Sequence, residues 1–313
     1  MKTIGFCIPC YNEEENITRI YTEIKKQMKD IEYEYKILFI DNKSTDNSRT
    51  ILKDIALKDK NVIVLMNTRN FGPGRSGAFG FFNTPGDAIL TMACDLQDPP
   101  SLIPQFIKKW EAGNKLILGR KISSKESKKM YFIRKQYYKI MRLFISENEL
   151  DQITGFGLYD RKIVNEMKKI YNPNPNFRFL ITSLGFEVKF IDYVQPGREH
   201  GKSSYTFFSY LDTAIISLVE NSNKPLRIIS IFGLLSFIFF FILNIGIIIF
   251  SIINYCFSEI IIYIIACILF EFLSIIIGCI GIIGEYIGEL LERSKQFPLV
   301  VLEEVGILMI FNR

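Results

Sequence analysis

The chain has 313 residues, 49% of them hydrophobic, with 38 Lys and Arg against 33 Asp and Glu and a formal net charge of +5. That is enough for one sizeable domain with a smaller appendage; the mild excess of positive charge forms no basic arm, so no nucleic-acid partner is expected, and a basic face toward anionic lipid or phosphate fits better. A single histidine, His200, excludes most schemes built on a histidine base or a histidine metal site, and neither a G-x-x-x-x-G-K-[ST] phosphate loop nor a G-x-G-x-x-G after the first strand is present.

In chain order, the N-terminal run MKTIGFCIPCYNEEENI has too short an apolar stretch for a signal peptide, and acidic residues follow at once, so the first domain is expected to stay in the cytosol. Lys2–Pro9 reads as a strand. Its Cys7 and Cys10 form a C-x-x-C with no second pair to complete a zinc site, so buried apolar packing is the plainer reading. Ile17–Met28 has helical spacing, Tyr35–Ile40 is an apolar strand ending at Asp41, and Ser44–Leu57 reads as a helix opened by Ser, Thr and Asp. Val62–Met66, Ala88–Cys94 and Lys115–Leu118 read as further strands, the second ending in the acidic run DLQDPP. Strands alternating with helices predict a parallel α/β sheet, in which ligands bind at the carboxyl ends of strands. Asp41 and Asp95 both fall there.

The C-terminal part is a different material, with no Lys or Arg between Arg227 and Arg293. Tyr205–Val219 reads as a helix lying at a membrane interface, with a buried core helix as the alternative. Ile228–Ser258 carries no charge and, after the Cys256–Glu259 link, Ile260–Ile287 forms a second apolar run; each is long enough to cross a bilayer. Lys224 and Arg227 precede the first span, Arg293 and Lys295 follow the second, and the link has no basic residue, so both ends are expected in the cytosol and the anchor is a hairpin. Glu271 lies within the second span, where an ionisable group is either functional or bonded at a packing seam. Gly278, Gly281, Gly284 and Gly288 recur on one helical face and suggest close helix packing. Cys256, Cys267 and Cys279 read as small apolar residues of these stretches.

The chemistry then rests on carboxylates at strand ends. Asp95 and Asp98 follow an apolar strand directly, and carboxylate and amide oxygens suit Mg2+ or Mn2+. Alone, the D-x-x-D pattern is weak, since acidic turns are common. In order, however, IPCYNEEENI, FIDNKSTDNS, RNFGPGRSGAFGF, DLQDPP, TGFGLYDRK, GREHGKSSY and NKPLR before an apolar hairpin resemble a family 2 glycosyltransferase. More narrowly, they resemble the dolichyl-phosphate-mannose-synthase-like group and its bacterial undecaprenyl-phosphate branch. The resemblance covers nearly the whole chain. It implies an α/β GT-A domain over 1–204, an interfacial helix and linker over 205–225, a two-helix transmembrane hairpin over 226–292 with spans at 228–254 and 260–287, and a cytosolic tail over 293–313.

The resemblance further implies a nucleotide-sugar donor (a UDP-sugar), a divalent cation, Mg2+ or Mn2+, and a polyprenyl phosphate acceptor (undecaprenyl phosphate) on the cytosolic face of a bacterial plasma membrane, with a homo-oligomer left open. Pro9, Tyr11, Glu13 and Asp41 match positions that hold the nucleotide, and Asp95 with Gln97 matches the metal-ligand segment. Arg198 and Lys202 match a basic loop that closes on the donor diphosphate; with Asp95 and Asp98 they form the expected catalytic set. Arg120 and Arg134 match positions that receive the acceptor phosphate. One position departs from the family: the usual Asp two residues before Asp95 is Ala93, which implies a weaker metal site completed by Asp98 or water. Two alternatives stay open, an inactive scaffold that binds nucleotide sugar and a processive polysaccharide synthase, although the Q-x-x-R-W segment typical of the latter is absent.

Overall fold

The computed structural model describes residues 1–124, 153–170, 184–196, 260–294 and 298–306, together with Leu235, Ile238, Ile242 and Ile245, with only part of the side chains in 260–294. The chain divides into two units: Met1–Arg134, Glu147–Ser204 and Gln296–Arg313 in one, Lys135–Ser146 and Tyr205–Lys295 in the other.

The first unit is built on an eight-stranded sheet. Its parallel part consists of β1 (Thr3–Cys10), β2 (Glu34–Asp41), β3 (Val62–Asn67) and β4 (Ala88–Thr91). These are connected through α1 (Ile17–Met28), α2 (Ser48–Lys58) and α3 (Pro73–Asn83). After α4 (Ile103–Glu111) come β5 (Leu116–Ser124), β6 (Ile153–Asp160), α5 (Arg161–Lys169) and β7 (Lys189–Gln195). The sheet order is β7-β5-β6-β4-β1-β2-β3-β8, where β8 is Leu302–Gly306.

The expectation of a parallel sheet holds for β1–β4 and for the β5–β7 pair, and fails at β6 and β8. β6 runs antiparallel to both β4 and β5, and β8 runs antiparallel to β3, so the sheet is mixed. Strand limits also shift. The expected strand Ala88–Cys94 stops at Thr91, because the chain turns inward and the Ala93 N–H donates to the Asp98 carboxylate at 2.9 Å. The helix expected from Ser44 starts at Ser48, because the N–H groups of Ser44 and Ser48 are taken by the side chains of Asp41 and Asp46. Such local side-chain bonds compete with helix formation.

Both sheet faces are buried, which is why β1 and β2 read as continuous apolar runs and not as alternating ones. Ile4, Phe6 and Ile8 of β1 pack with Ile37 and Phe39 of β2 against Ile17, Ile20, Ile24 and Met28 of α1 and Leu52 of α2. That helical set recurs at the spacing of one helix face. On the opposite face Cys7, Ile89, Leu116 and Leu118 meet Phe81 of α3 and Ile163, Val164 and Met167 of α5. Phe6 is fully buried, and its replacement by Ala should cost about 3–5 kcal/mol. Cys7 and Cys10 belong to different faces, so the C-x-x-C cannot chelate one ion; burial pushes the Cys7 thiol up to about 12. A Cβ on Gly80 of α3 would lie 2.8 Å from Ile40 Cγ2, so glycine is what lets α3 close on β2.

The second unit is described mainly through α6, a helix over Ile260–Ser294. Its 35 residues correspond to about 50 Å of helix. Among the described residues no helix meets the joint requirement of length and apolarity for a membrane span. Read by sequence, however, Ile260–Gly284 contains one charged residue, Glu271. Ile265, Leu269, Leu273, Ile276, Ile280, Ile283 and Ile287 are all exposed along one helical stripe. Among the described residues, a Cβ at Gly278, Gly284 or Gly288 would meet nothing within 4 Å; the first span, against which close packing is expected, lies almost wholly outside them. The interfacial helix and most of the first span, with Lys224, Arg227 and Cys256, lie outside the described residues.

Candidate active site

In the parallel half, the chain runs from β1 outward through β2 and β3, then returns to place β4 on the other side of β1. That reversal opens a crevice at the carboxyl ends of β1 and β4, the position where open α/β sheets bind ligands. Three turns meet this edge. They follow β1 (Tyr11–Asn16), β2 (Asn42–Asn47) and β4 (Met92–Asp98). Among the described residues, the non-glycine residues with positive φ are Asn12 at 55°, Lys43 at 65° and Leu96 at 61°, one in each turn. Backbone of this kind persists only where its surroundings over-determine it, and it clusters at functional sites.

The first two turns are sewn together. The Asn42 N–H donates to the Cys10 carbonyl at 2.9 Å, Asn12 N–H to Ser44 Oγ at 2.9 Å, Glu13 N–H to Ser48 Oγ at 2.9 Å, and Thr45 N–H to Asn12 Oδ1 at 2.8 Å. Asp41, fully buried, accepts the Ser44 N–H at 3.2 Å on both oxygens, and Arg49 Nε lies 3.3 Å from its Oδ2. Asn42 extends the mesh, accepting from Asn67 Nδ2 at 3.0 Å and from the Phe71 N–H at 2.9 Å. Of the expected nucleotide-binding residues, Asp41 and Glu13 are therefore in this mesh, Pro9 is the penultimate residue of β1, and Tyr11 stands 39% exposed beside them. The sequence reading missed Asn12, Asn42, Ser48 and Arg49. The signal for the last three was the polar run NKSTDNSR directly after a buried strand, and for Asn12 the run YNEEEN after β1.

In the third turn, the Gln97 N–H donates to Asp95 Oδ1 at 3.1 Å. Asp98 accepts the Ala93 N–H at 2.9 Å and the Tyr193 hydroxyl at 3.1 Å, so both its oxygens hold the turn against β7. Burial pushes the Asp98 carboxyl up to about 6, partly offset by those two bonds. Asp98, expected in the catalytic set, thus has the bonding of a structural brace. Asp95 and Gln97 offer one carboxylate and one amide. These are hard oxygen donors that fit an Mg2+ or Mn2+ whose remaining ligands are water and diphosphate. No group of three or more His, Cys, Asp or Glu among the described residues could cage an ion by itself, in keeping with Ala93 at the departing position.

Arg120 stands on β5, next to Lys121, whose charge acts on Asp98, and its partner Asp192 precedes the Tyr193 that bonds Asp98. Its Nε and Nη2 fork onto Asp192 of β7 at 2.7 and 2.9 Å, its guanidinium stands 5.0 Å over the Phe190 ring, and both partners of the pair are 45% exposed. Arg120 holds the Asp192 carboxyl below the usual range. Arg134, Arg198, Lys202 and His200 lie outside the described residues.

Residues 6–168 match the model of the family described as Glycosyl transferase family 2. An undecaprenyl-phosphate 4-deoxy-4-formamido-L-arabinose transferase of Proteus mirabilis is 26% identical, over 96% of this chain and 93% of its own length. A bactoprenol glucosyl transferase of Shigella phage SfX is 28% identical, over 94% of this chain and 97% of its own. Among solved structures, glucosyl-3-phosphoglycerate synthase of Mycobacterium tuberculosis, in complex with Mn2+, UDP and glucosyl-3-phosphoglycerate, superposes with a TM-score of 0.51. It is 14% identical and covers 71% of this chain and 80% of that one. This last likeness concerns the fold.

Proposed function

This chain belongs to glycosyl transferase family 2 and is a glycosyltransferase, and from that premise we propose that it moves a sugar from a nucleotide diphosphate, a UDP-sugar, onto a polyprenyl phosphate at a membrane surface. The observation that carries the reading is the meeting of three strained, carboxylate-bearing turns at the switch point between β1 and β4. The two relatives named for lipid-carrier substrates differ in the sugar they transfer, formamido-arabinose or glucose, while both names specify a polyprenyl carrier. The shared feature supports the acceptor and leaves the sugar open.

In this reading Asp41 and the β1–β2 mesh hold the nucleotide, and Asp95 with Gln97 faces the diphosphate. Mg2+ or Mn2+, when bound, supplies charge that stabilises the departing nucleotide diphosphate. The acceptor phosphate is already ionised near neutral pH, so no general base is required, and a single inverting displacement needs positioning above all. Asp98 positions the turn and moves no proton. Arg120 and Arg134 receive the acceptor phosphate, and Arg198 and Lys202 close on the donor, where loss of either should lower kcat.

The exposed apolar stripe of α6, Ile265 to Ile287, supports a lipid surrounding. We read it as one arm of a hairpin with both ends in the cytosol. Membranes containing the chain, supplied with undecaprenyl phosphate and a panel of radiolabelled nucleotide sugars, should yield one labelled lipid that requires Mg2+ or Mn2+. An absence of labelled lipid with every donor would refute the proposal.

A further inference from the structure

The segment 298–306, read from sequence as part of a tail, re-enters the glycosyltransferase unit. The Arg75 guanidinium donates to the carbonyls of Leu299 and Pro298 at 3.1 and 2.9 Å, and Thr68 donates through both N–H and hydroxyl to the Val301 carbonyl at 3.0 and 3.1 Å. β8 then pairs with β3, with Asn67 opposite Leu302 and Met66 opposite Glu304. This anchorage brings Glu303 to the turn that follows β2. Its Oε2 accepts from Lys43 Nζ at 2.6 Å and from Arg49 Nη2 at 3.0 Å. Arg49 is therefore held from two sides, by Glu303 at one end and by buried Asp41 at the other.

The two contacts differ. Glu303 receives a hydrogen bond, whereas Arg49 Nε, 3.3 Å from Asp41 Oδ2, is a buried nitrogen that makes none. The outer carboxylate thus keeps the guanidinium from closing fully on the inner one. Lys43, the neighbouring left-handed residue, is fixed by the same oxygen.

We propose that Glu303 is a positioning residue of the donor site, restraining Arg49 and Lys43 so that the buried Asp41 carboxylate stays available to the nucleotide. The inference rests on the donor-site reading given above. Without Glu303, Arg49 turns onto Asp41 and competes with the nucleotide for its oxygens. The backbone anchors at Arg75 and Thr68 do not involve the Glu303 side chain, so β8 stays in place when that side chain is removed.

Calorimetric titration of the full-length chain in detergent with UDP and Mn2+ tests this. Glu303→Ala should weaken UDP binding about two- to fivefold, the scale of a partly exposed ion pair, while kcat at saturating donor is retained. In an Arg49→Ala background, Glu303→Ala should change UDP affinity little, because the two act as a unit. Leu302→Ala, which removes apolar packing from the same strand, should lower the melting temperature and leave UDP affinity unchanged. If Glu303→Ala does not fold, Glu303→Gln is read in its place with the same expectation. Wild-type UDP affinity in Glu303→Ala, or losses for Glu303→Ala and Arg49→Ala that simply multiply, would overturn the inference alone. Failure of the wild-type chain to bind UDP would overturn the donor-site reading as well.

Discussion

The proposed donor turns and the Arg120–Asp192 pair of the same sheet are built in opposite ways. At the proposed donor turns, Asp41, Asn42, Ser48, Asp95 and Asp98 are buried, the first two turns bond to one another through backbone N–H groups, and each of the three carries one left-handed residue. On β5 and β7, by contrast, Arg120 and Asp192 form an exposed fork. Buried polar meshes are costly to break and slow to rearrange. Exposed ion pairs are worth little and exchange readily. A site assembled this way would hold its donor in a preformed cradle and admit its acceptor by exchanging one anion for another.

The sharpest way to break the comparison is at Asp95. Asp95→Asn should reduce transfer roughly a hundredfold or more, as loss of a group that stabilises developing charge typically does, while the melting temperature stays near wild type. Turnover across a Mn2+ titration measures this, and full activity at limiting metal would remove Asp95 from the role. At the exposed pair, Arg120→Ala should raise the acceptor KM about tenfold, the scale of a lost charge-assisted bond, with UDP affinity unchanged. Asp192→Asn should lower the acceptor KM a few-fold, since the competing anion is gone. Acceptor kinetics on the two variants separate a phosphate site from a surface pair, because a surface pair predicts no change in either.

A smaller effect is expected at Asp98, whose carboxyl burial raises from 3.8 to about 6. The folded chain then binds the proton more tightly than the unfolded one between those values, so stability falls as pH rises through roughly 4 to 6. The full swing is about 3 kcal/mol at most, from about 1.4 kcal/mol per pKa unit. Asp98→Asn, which keeps an acceptor for Ala93 and a polar partner for Tyr193, should melt a few degrees higher than wild type at pH 8 and near wild type at pH 4. Thermal melts at the two pH values check the sign.

How much of this was legible in the sequence follows the same division. β1 to β4 were readable because two-sided burial gives unbroken apolar runs, and Asp41 and Asp95 stood at or just past their ends. α3 was not, since PGRSGAFGFFN carries glycines that disfavour helix locally, and Gly80 is required only once Ile40 is known to press against it. β8 was hidden for another reason. LEEVG has adjacent glutamates and pairs with a strand more than two hundred residues earlier, so nothing local marks it. Asp98 illustrates the limit for sites. Its spacing from Asp95 suggested a shared ligand role, whereas the Tyr193 hydroxyl that engages it comes from β7, 95 residues away.

The most direct measurement is a structure of the chain with UDP and Mn2+ bound. The account predicts the nucleotide along the carboxyl ends of β1 and β2 beside Asp41, its diphosphate turned toward Asp95 and Gln97, and the Arg120–Asp192 pair undisturbed. A nucleotide that displaces Asp192 from Arg120, or one with its diphosphate remote from the turn after β4, would contradict it.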